Sequence, residues 1–331
     1  MTAASKPDPL IDISKGLHRD LDAVERQLKK IGSSPNPLIA EIHGYLFEKS
    51  GKRIRPALLI LCSKLCGYKG PHHIFWAALV EIIHTASLIH DDIIDNSHLR
   101  RGRDTVHARW GPNITVLLGD FLYIQSVTLA LKTRKQDIID LLADVTARMI
   151  EGELLEYSMS GDPGLTEERY LEILDKKTAR LFSAACQIGG WLAGTAPRET
   201  QKLREFGQNL GLSFQIVDDL LDYTGDAATL GKPVLADLRE GRVTLPLIHA
   251  LRLAKGDARD ELLGLIKNRT ADRKAVKRIL GLIDSAGALD YSFNQAVVFA
   301  QKAKNALAAF PASAPRESLV RMVDLILRRK T

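Results

Sequence analysis

The chain has 331 residues, 45% of them hydrophobic, with 46 basic and 40 acidic side chains and a net charge of +6. That length allows one large domain or two ordinary ones, and that apolar share supports a substantial core. No run of about 18 uncharged apolar residues occurs, which argues against a transmembrane span, and the opening MTAASKPDPLID lacks a signal peptide's apolar core, so a cytoplasmic location is expected.

Apolar residues at spacings of three and four predict helices throughout. The first runs from about Leu10, through Ile13, Leu17, Leu21, Val24 and Leu28, until Ser33-Ser34-Pro35-Asn36-Pro37 breaks it. A second covers Leu38 to about Lys49. Ser50-Gly51-Lys52-Arg53-Ile54-Arg55-Pro56 then turns the chain, and Pro56 suits the first turn of the next helix. Lys52 and Arg55 would stand at that helix's N-terminus, where backbone amides also attract anions. A helix from His72 to Asp95 follows, then a charged loop from Asn96 to Arg103. Helices are expected from Gly111-Pro112-Asn113 to Leu131, over 137–160, from Thr166 to Gly194 and from about Glu199 through Asp222. Glu151, Glu153 and Glu156 read partly as a solvated face. Gly225 to Arg242 reads as an ordered loop, and Thr244 as the N-cap of Leu245–Leu253. Helices over about 258–268, 271–284, 287–309 and 315–329 complete the chain. No strand-period segment competes, and no linker divides the sequence. The expectation is a single all-α domain over residues 1–331, a many-helix bundle with its site between facing helices.

Two stretches carry chemistry: Asp91-Asp92-Ile93-Ile94-Asp95 and Asp218-Asp219-Leu220-Leu221-Asp222. Residues three and four apart share a helix face, so Asp91 pairs with Asp95 and Asp218 with Asp222. Asp92 and Asp219 lie about 100° round, near enough to help hold an ion or its waters. Paired carboxylates on apolar helices are costly unless a cation sits between them. Hard oxygen ligands suit Mg²⁺, which takes its remaining ligands from water and bound phosphate. Two such clusters suggest two metal-bearing walls across one diphosphate. The tightest basic groups, Lys52, Arg53 and Arg55, then Arg100, Arg101 and Arg103, flank the first cluster. They lack interleaved aromatics, which favours a phosphorylated small molecule over nucleic acid. Cys62, Cys66 and Cys186 have no zinc-type spacing and read as small buried residues. His90 reads as structural, and Arg328, Arg329 and Lys330 as a solvated tail or a basic end folding over diphosphates.

In this order, Gly-Lys-Arg-x-Arg-Pro, the two boxes, Arg100-Arg101-Gly102, Gly119-Asp120-Phe121-Leu122, Lys177-Thr178-Ala179, Gly231-Lys232-Pro233 and Asp237 to Pro246 resemble the trans-isoprenyl (polyprenyl) diphosphate synthases. The resemblance implies Mg²⁺, three ions with diphosphate bound, on Asp91, Asp92, Asp95, Asp218, Asp219 and Asp222. It implies that Lys177, Lys232 and Arg100 contact the leaving diphosphate, with Gln215 lining that wall and Thr178 near the cation. Lys52, Arg55, His84 and Arg101 would hold isopentenyl diphosphate. The allylic partner would be geranyl, farnesyl or geranylgeranyl diphosphate, and no protein base is evident. Ala86 and Ser87 are small where the family's short-chain members carry a bulky aromatic, so a long product, about C30–C50, is expected. That product would partition into a membrane. A homodimer is also implied. A terpene cyclase or head-to-head synthase would not need the isopentenyl pocket, and a non-catalytic subunit would have lost carboxylates from one box.

Overall fold

Helices carry nearly all of the computed structural model, which describes residues 16–48, 51–100, 102–224, 234–269 and 272–329. They are α1 (His18–Ile31), α2 (Pro37–Leu46), α3 (Ile54–Leu65) and α4 (His72–Ile94), followed by strands β1 (Leu99–Arg100) and β2 (Arg103–Asp104). Next come α5 (Val106–Trp110), α6 (Pro112–Lys132), α7 (Gln136–Ser158) and α8 (Glu167–Leu174), a π-helical segment (Asp175–Ala179), α9 (Arg180–Leu192) and α10 (Pro197–Thr224). The chain ends with α11 (Ala236–Arg239), α12 (Leu245–Leu253), α13 (Gly256–Lys267), α14 (Arg273–Ser285), α15 (Ala288–Leu307) and α16 (Ala314–Arg328).

Local chemistry sets the helix starts. The Asn36 side chain accepts from the amides of Leu38 and Ile39, and Pro37 opens α2. Thr166 caps α8 by accepting from the Arg169 amide. Thr244 precedes α12 as expected, but its hydroxyl does not cap; it pairs with Tyr223 Oη at 2.5 Å. Three features depart from the helical reading. The loop after the first box contains an antiparallel hairpin, Leu99 opposite Asp104 and Arg100 opposite Arg103. The helix expected from Thr166 to Gly194 is interrupted by the π segment at Lys176-Lys177-Thr178. The expected ordered loop holds the short α11; its residues 225–233, and the expected helix start at Leu10, lie outside the described residues.

Packing divides the chain into two compact units. The first comprises Met1–Asp144, Leu181–Gly207 and Lys304–Leu325, and the second Val145–Arg180, Gln208–Ala303 and Ile326–Thr331. In the first, α4 packs against α1, α3 and α6. Trp76, Leu79 and Ile82 are almost fully buried on it, each contributing about 1.5–3 kcal/mol by burial. Gly119 lets α6 approach α4: a Cβ there would lie 2.2 Å from His90 Nε2, and that nitrogen donates to the Val116 carbonyl at 3.1 Å. His90 is thus a packing residue. By length and composition α4 and α6 could each cross a membrane, but 61% of the apolar window of α4 is buried inside the protein, against 33% for α6.

In the second unit, α8 packs on α12, and α14 on α12 and α13. The Ser213 hydroxyl of α10 donates to the Ala296 carbonyl of α15 at 2.9 Å. His249 of α12 stacks on Tyr291 of α15 with ring centroids 3.8 Å apart.

Candidate active site

The first aspartate box closes α4. Asp91 and Asp92 lie in its last turn, and Asp95 is its C-cap, donating its amide to the Asp91 carbonyl at 2.8 Å. Carboxylates at a helix C-terminus meet the negative end of the helix dipole, so this placement favours a bound cation twice over. The hairpin turns one member inward: Arg100 Nε donates to Asp92 Oδ1 at 2.7 Å, and Asp92 is buried. The structure therefore joins Arg100 to the box itself. Ala86 is buried on the same helix, and the Ser87 hydroxyl donates to the His84 carbonyl at 2.9 Å.

The basic stretch at the start of α3 separates its cations. Lys52 is exposed. Arg55 is half-buried, its guanidinium 4.7 Å above the Phe182 ring. Its Nε is buried without a partner. Burial lowers the Arg55 pKa to about 10, with the Glu81 charge opposing that shift. His84 is half-buried on α4. Arg101 lies outside the described residues.

The second box closes α10, and its three carboxylates have different surroundings. Asp218 is half-exposed and accepts from Arg329 Nη2 at 2.9 Å, while that guanidinium sits 5.0 Å over the Phe214 ring. Asp219 is buried; Tyr170 Oη donates to one oxygen at 2.6 Å and Gln215 Nε2 to the other at 2.9 Å. Burial, reinforced by the Asp237 charge, pushes its carboxyl well above the ordinary range. Gln215 in turn accepts from the Thr178 hydroxyl at 3.0 Å. Asp222 accepts from the amides of Ala236 and Asp237 at 3.0 and 3.2 Å. Burial first, then Asp237, raises its pKa to about 7.

Lys177 stands in the π segment with its ammonium 2.8 Å from Glu153 and 2.5 Å from Glu156. Gly152 makes this possible, because a Cβ there would lie 2.9 Å from the Lys177 amide nitrogen. π segments recur at functional positions. On sequence alone Glu153 and Glu156 look like part of a solvated face; the signal available there is their i, i+3 spacing beside a glycine. Nothing in the sequence marked Tyr170, and Arg53 stood out only as one of the basic group Lys52, Arg53 and Arg55, with no sign of its partners. Lys232 lies outside the described residues.

Among the described residues, no three histidine, cysteine or carboxylate side chains form a ready-made metal cage. The donor set still fits Mg²⁺, which binds through one or two carboxylates completed by water and substrate phosphate. Asp91, Asp95 and the half-exposed Asp218 are such donors.

Known proteins resemble the chain along nearly its whole length. The Polyprenyl synthetase family profile matches residues 36–283. The octaprenyl diphosphate synthase of Escherichia coli (strain K12) is 36% identical over 311 residues, spanning 94% of this chain and 96% of that protein. The all-trans-nonaprenyl-diphosphate synthase (geranyl-diphosphate specific) of Rhodobacter capsulatus is 36% identical over 319 residues, spanning 96% and 97%. Among solved structures, a decaprenyl diphosphate synthase from Rhodobacter capsulatus superposes with a TM-score of 0.92 at 36% identity, covering 97% of this chain and 99% of that one. A polyprenyl synthase from Caulobacter crescentus CB15, complexed with calcium and isoprenyl diphosphate, gives 0.92 at 36% identity, covering 99% and 100%. On its helical fold, its paired aspartate boxes and these matches, the chain belongs to the polyprenyl synthetase family.

Proposed function

We propose that this protein is a long-chain trans-polyprenyl diphosphate synthase. It condenses isopentenyl diphosphate with geranyl, farnesyl or geranylgeranyl diphosphate to give a product of about C30–C50. The observation that carries this is the pair of Asp-Asp-x-x-Asp boxes, each at a helix C-terminus, in a chain that long-chain synthases match over nearly its full length. The same coverage supports reading residues 1–331 as one catalytic domain.

Asp91, Asp95 and Asp218 would hold Mg²⁺, with Asp92, Asp219 and Asp222 shaping the two helix ends. When bound, Mg²⁺ supplies positive charge to the leaving diphosphate oxygens. Lys177, held by Glu153 and Glu156, would add a fixed cation to that charge, and Lys232 and Arg100 would contact the leaving diphosphate as the family resemblance implies. The allylic C–O bond breaks and its electron pair stays on diphosphate. The double bond of isopentenyl diphosphate, held by Lys52, Arg55, Arg101 and His84, then attacks the allylic carbon. Loss of a proton from the new cation to the departing diphosphate restores the alkene. Thr178 and Gln215 line the cation's path.

A homodimer is part of this reading. Leu117, Ile124 and Leu131 recur every seven residues along α6 and are exposed, as are Ile150, Leu154 and Tyr157 on α7. Such apolar stripes fit a second copy, and sedimentation equilibrium should return twice the 36.6 kDa chain mass rather than one.

The direct test is incubation with Mg²⁺, isopentenyl diphosphate and farnesyl diphosphate, followed by chromatographic sizing of the lipids. Polyprenyl diphosphates longer than the C20 product are expected. No elongation, or arrest at C20, would defeat the long-chain reading.

A further inference from the structure

Lys52, Arg53 and Arg55 straddle the start of α3, and the middle one does not face solvent. Arg53 is 8% exposed. Its Nε and Nη2 donate to the two oxygens of Glu25 on α1, at 2.6 and 3.1 Å. Its Nη1 donates to Glu81 on α4 at 2.8 Å, and Glu81 is itself buried. The guanidinium carbon lies 5.8 Å from the Phe47 ring centroid. Burial works against the charge, yet hydrogen bonds and charge from Glu25 and Glu81 outweigh it and hold the guanidinium above its ordinary pKa. The Arg53 backbone is left-handed, φ 49° and ψ 38°, at the N-cap of α3. A residue with a Cβ stays there only when its surroundings impose it.

These contacts have one consequence for the turn. Three elements meet on a single side chain, so the strained backbone at Arg53 is fixed against α1 and α4. Lys52 precedes that fixed point and Arg55 follows it by two residues. Glu81 also attracts Arg55, and His84 lies three residues further along the same helix. We propose that Arg53, Glu25 and Glu81 are positioning residues for isopentenyl diphosphate, locking the turn so that Lys52 and Arg55 are presented beside His84. This rests on the reading that Lys52, Arg55 and His84 bind that substrate. The fork geometry of arginine is what the site uses: two parallel bonds to one carboxylate and a third to another, which a lysine ammonium cannot reproduce.

The test is a set of steady-state measurements on the full chain with Mg²⁺, varying isopentenyl and farnesyl diphosphate separately, alongside thermal melting. Arg53→Lys keeps the charge and removes the fork. Glu25→Gln, at the more exposed rim, keeps the shape and weakens the pair, and it serves if Arg53→Lys fails to fold. Arg53→Asn relieves the left-handed backbone but deletes the side chain. Arg55→Ala marks the substrate site itself. Arg53→Lys and Arg53→Asn should raise KM for isopentenyl diphosphate about tenfold, Glu25→Gln about threefold, with KM for farnesyl diphosphate within about twofold of the parent. Glu25→Gln should add nothing further in the Arg53→Lys background. If Arg55→Ala raises KM for isopentenyl diphosphate while Arg53→Lys and Glu25→Gln leave it unchanged, the positioning role is overturned. Equal rises for both substrates would also overturn it, by showing a general structural effect. If Arg55→Ala leaves that KM unchanged, the substrate assignment falls and the positioning role with it.

Discussion

Tyr170 and Gln215 occupy both oxygens of Asp219, and two backbone amides occupy those of Asp222, whereas Asp218 is half-exposed against Arg329. One motif thus supplies an outward carboxylate and two that brace the helix end. Titration at single residues gives the protein a pH signature. Burial lowers the pKa of His43, against a hydrogen bond from Nε2 to the Leu28 carbonyl that works the other way. The unfolded imidazole titrates near about 6.5, so below that pH the unfolded chain binds the extra proton more readily. The stability contributed by neutral His43 is complete above pH about 6.5 and is lost as pH falls toward its lower folded value. Asp222 acts in the opposite sense: its raised carboxyl favours the fold below the ordinary carboxylate range, and that contribution disappears as pH rises through about 7. The urea midpoint at pH 5.5, taken relative to that at pH 7.5, should therefore rise in His43→Gln compared with the parent. An unchanged difference between the two pH values would refute the role of His43.

At the scale of elements, α4 is the member on which most depends. It carries Ala86 and Ser87, the buried Glu81, and the first box at its end. Ala86 is 4% exposed in that packing, so a larger side chain there must claim space along the helix and overpacking costs about 1–3 kcal/mol. Ala86→Phe should shift products to shorter lipids on chromatography, with a modest fall in melting temperature. The parent's length profile in a folded variant would refute the chain-length role. Most helices were legible because apolar residues at spacings of three and four bury one face, and the stops were legible because Pro, Gly and capping residues act locally. The π segment was not, since a single five-residue turn is too short to show a periodicity of its own within residues 166–192. The hairpin at Leu99–Asp104 was not, since two paired residues are too few to show alternation. The aspartates themselves could be read from sequence because carboxylates in an apolar helix demand a cation. Their supports could not: Arg53 finds Glu25 and Glu81 each 28 residues away, and Tyr170 finds Asp219 at a distance of 49. Helical period fixes a face, not the partner that a tertiary contact brings to it.

For the whole molecule, the proposed mechanism calls on both aspartate boxes, Asp91 and Asp95 of one and Asp218 of the other. Family membership accounts for the fold and for prenyl transfer as the activity. If both boxes hold Mg²⁺ on one leaving diphosphate, neither suffices alone, and deletion of either should abolish ionisation rather than halve it. The measurement is single-turnover elongation of farnesyl diphosphate by Asp91→Ala and by Asp218→Ala, each checked by circular dichroism for an intact helical fold. Both variants should lose at least about a hundredfold in rate. A parental rate in either folded variant would contradict the two-box account.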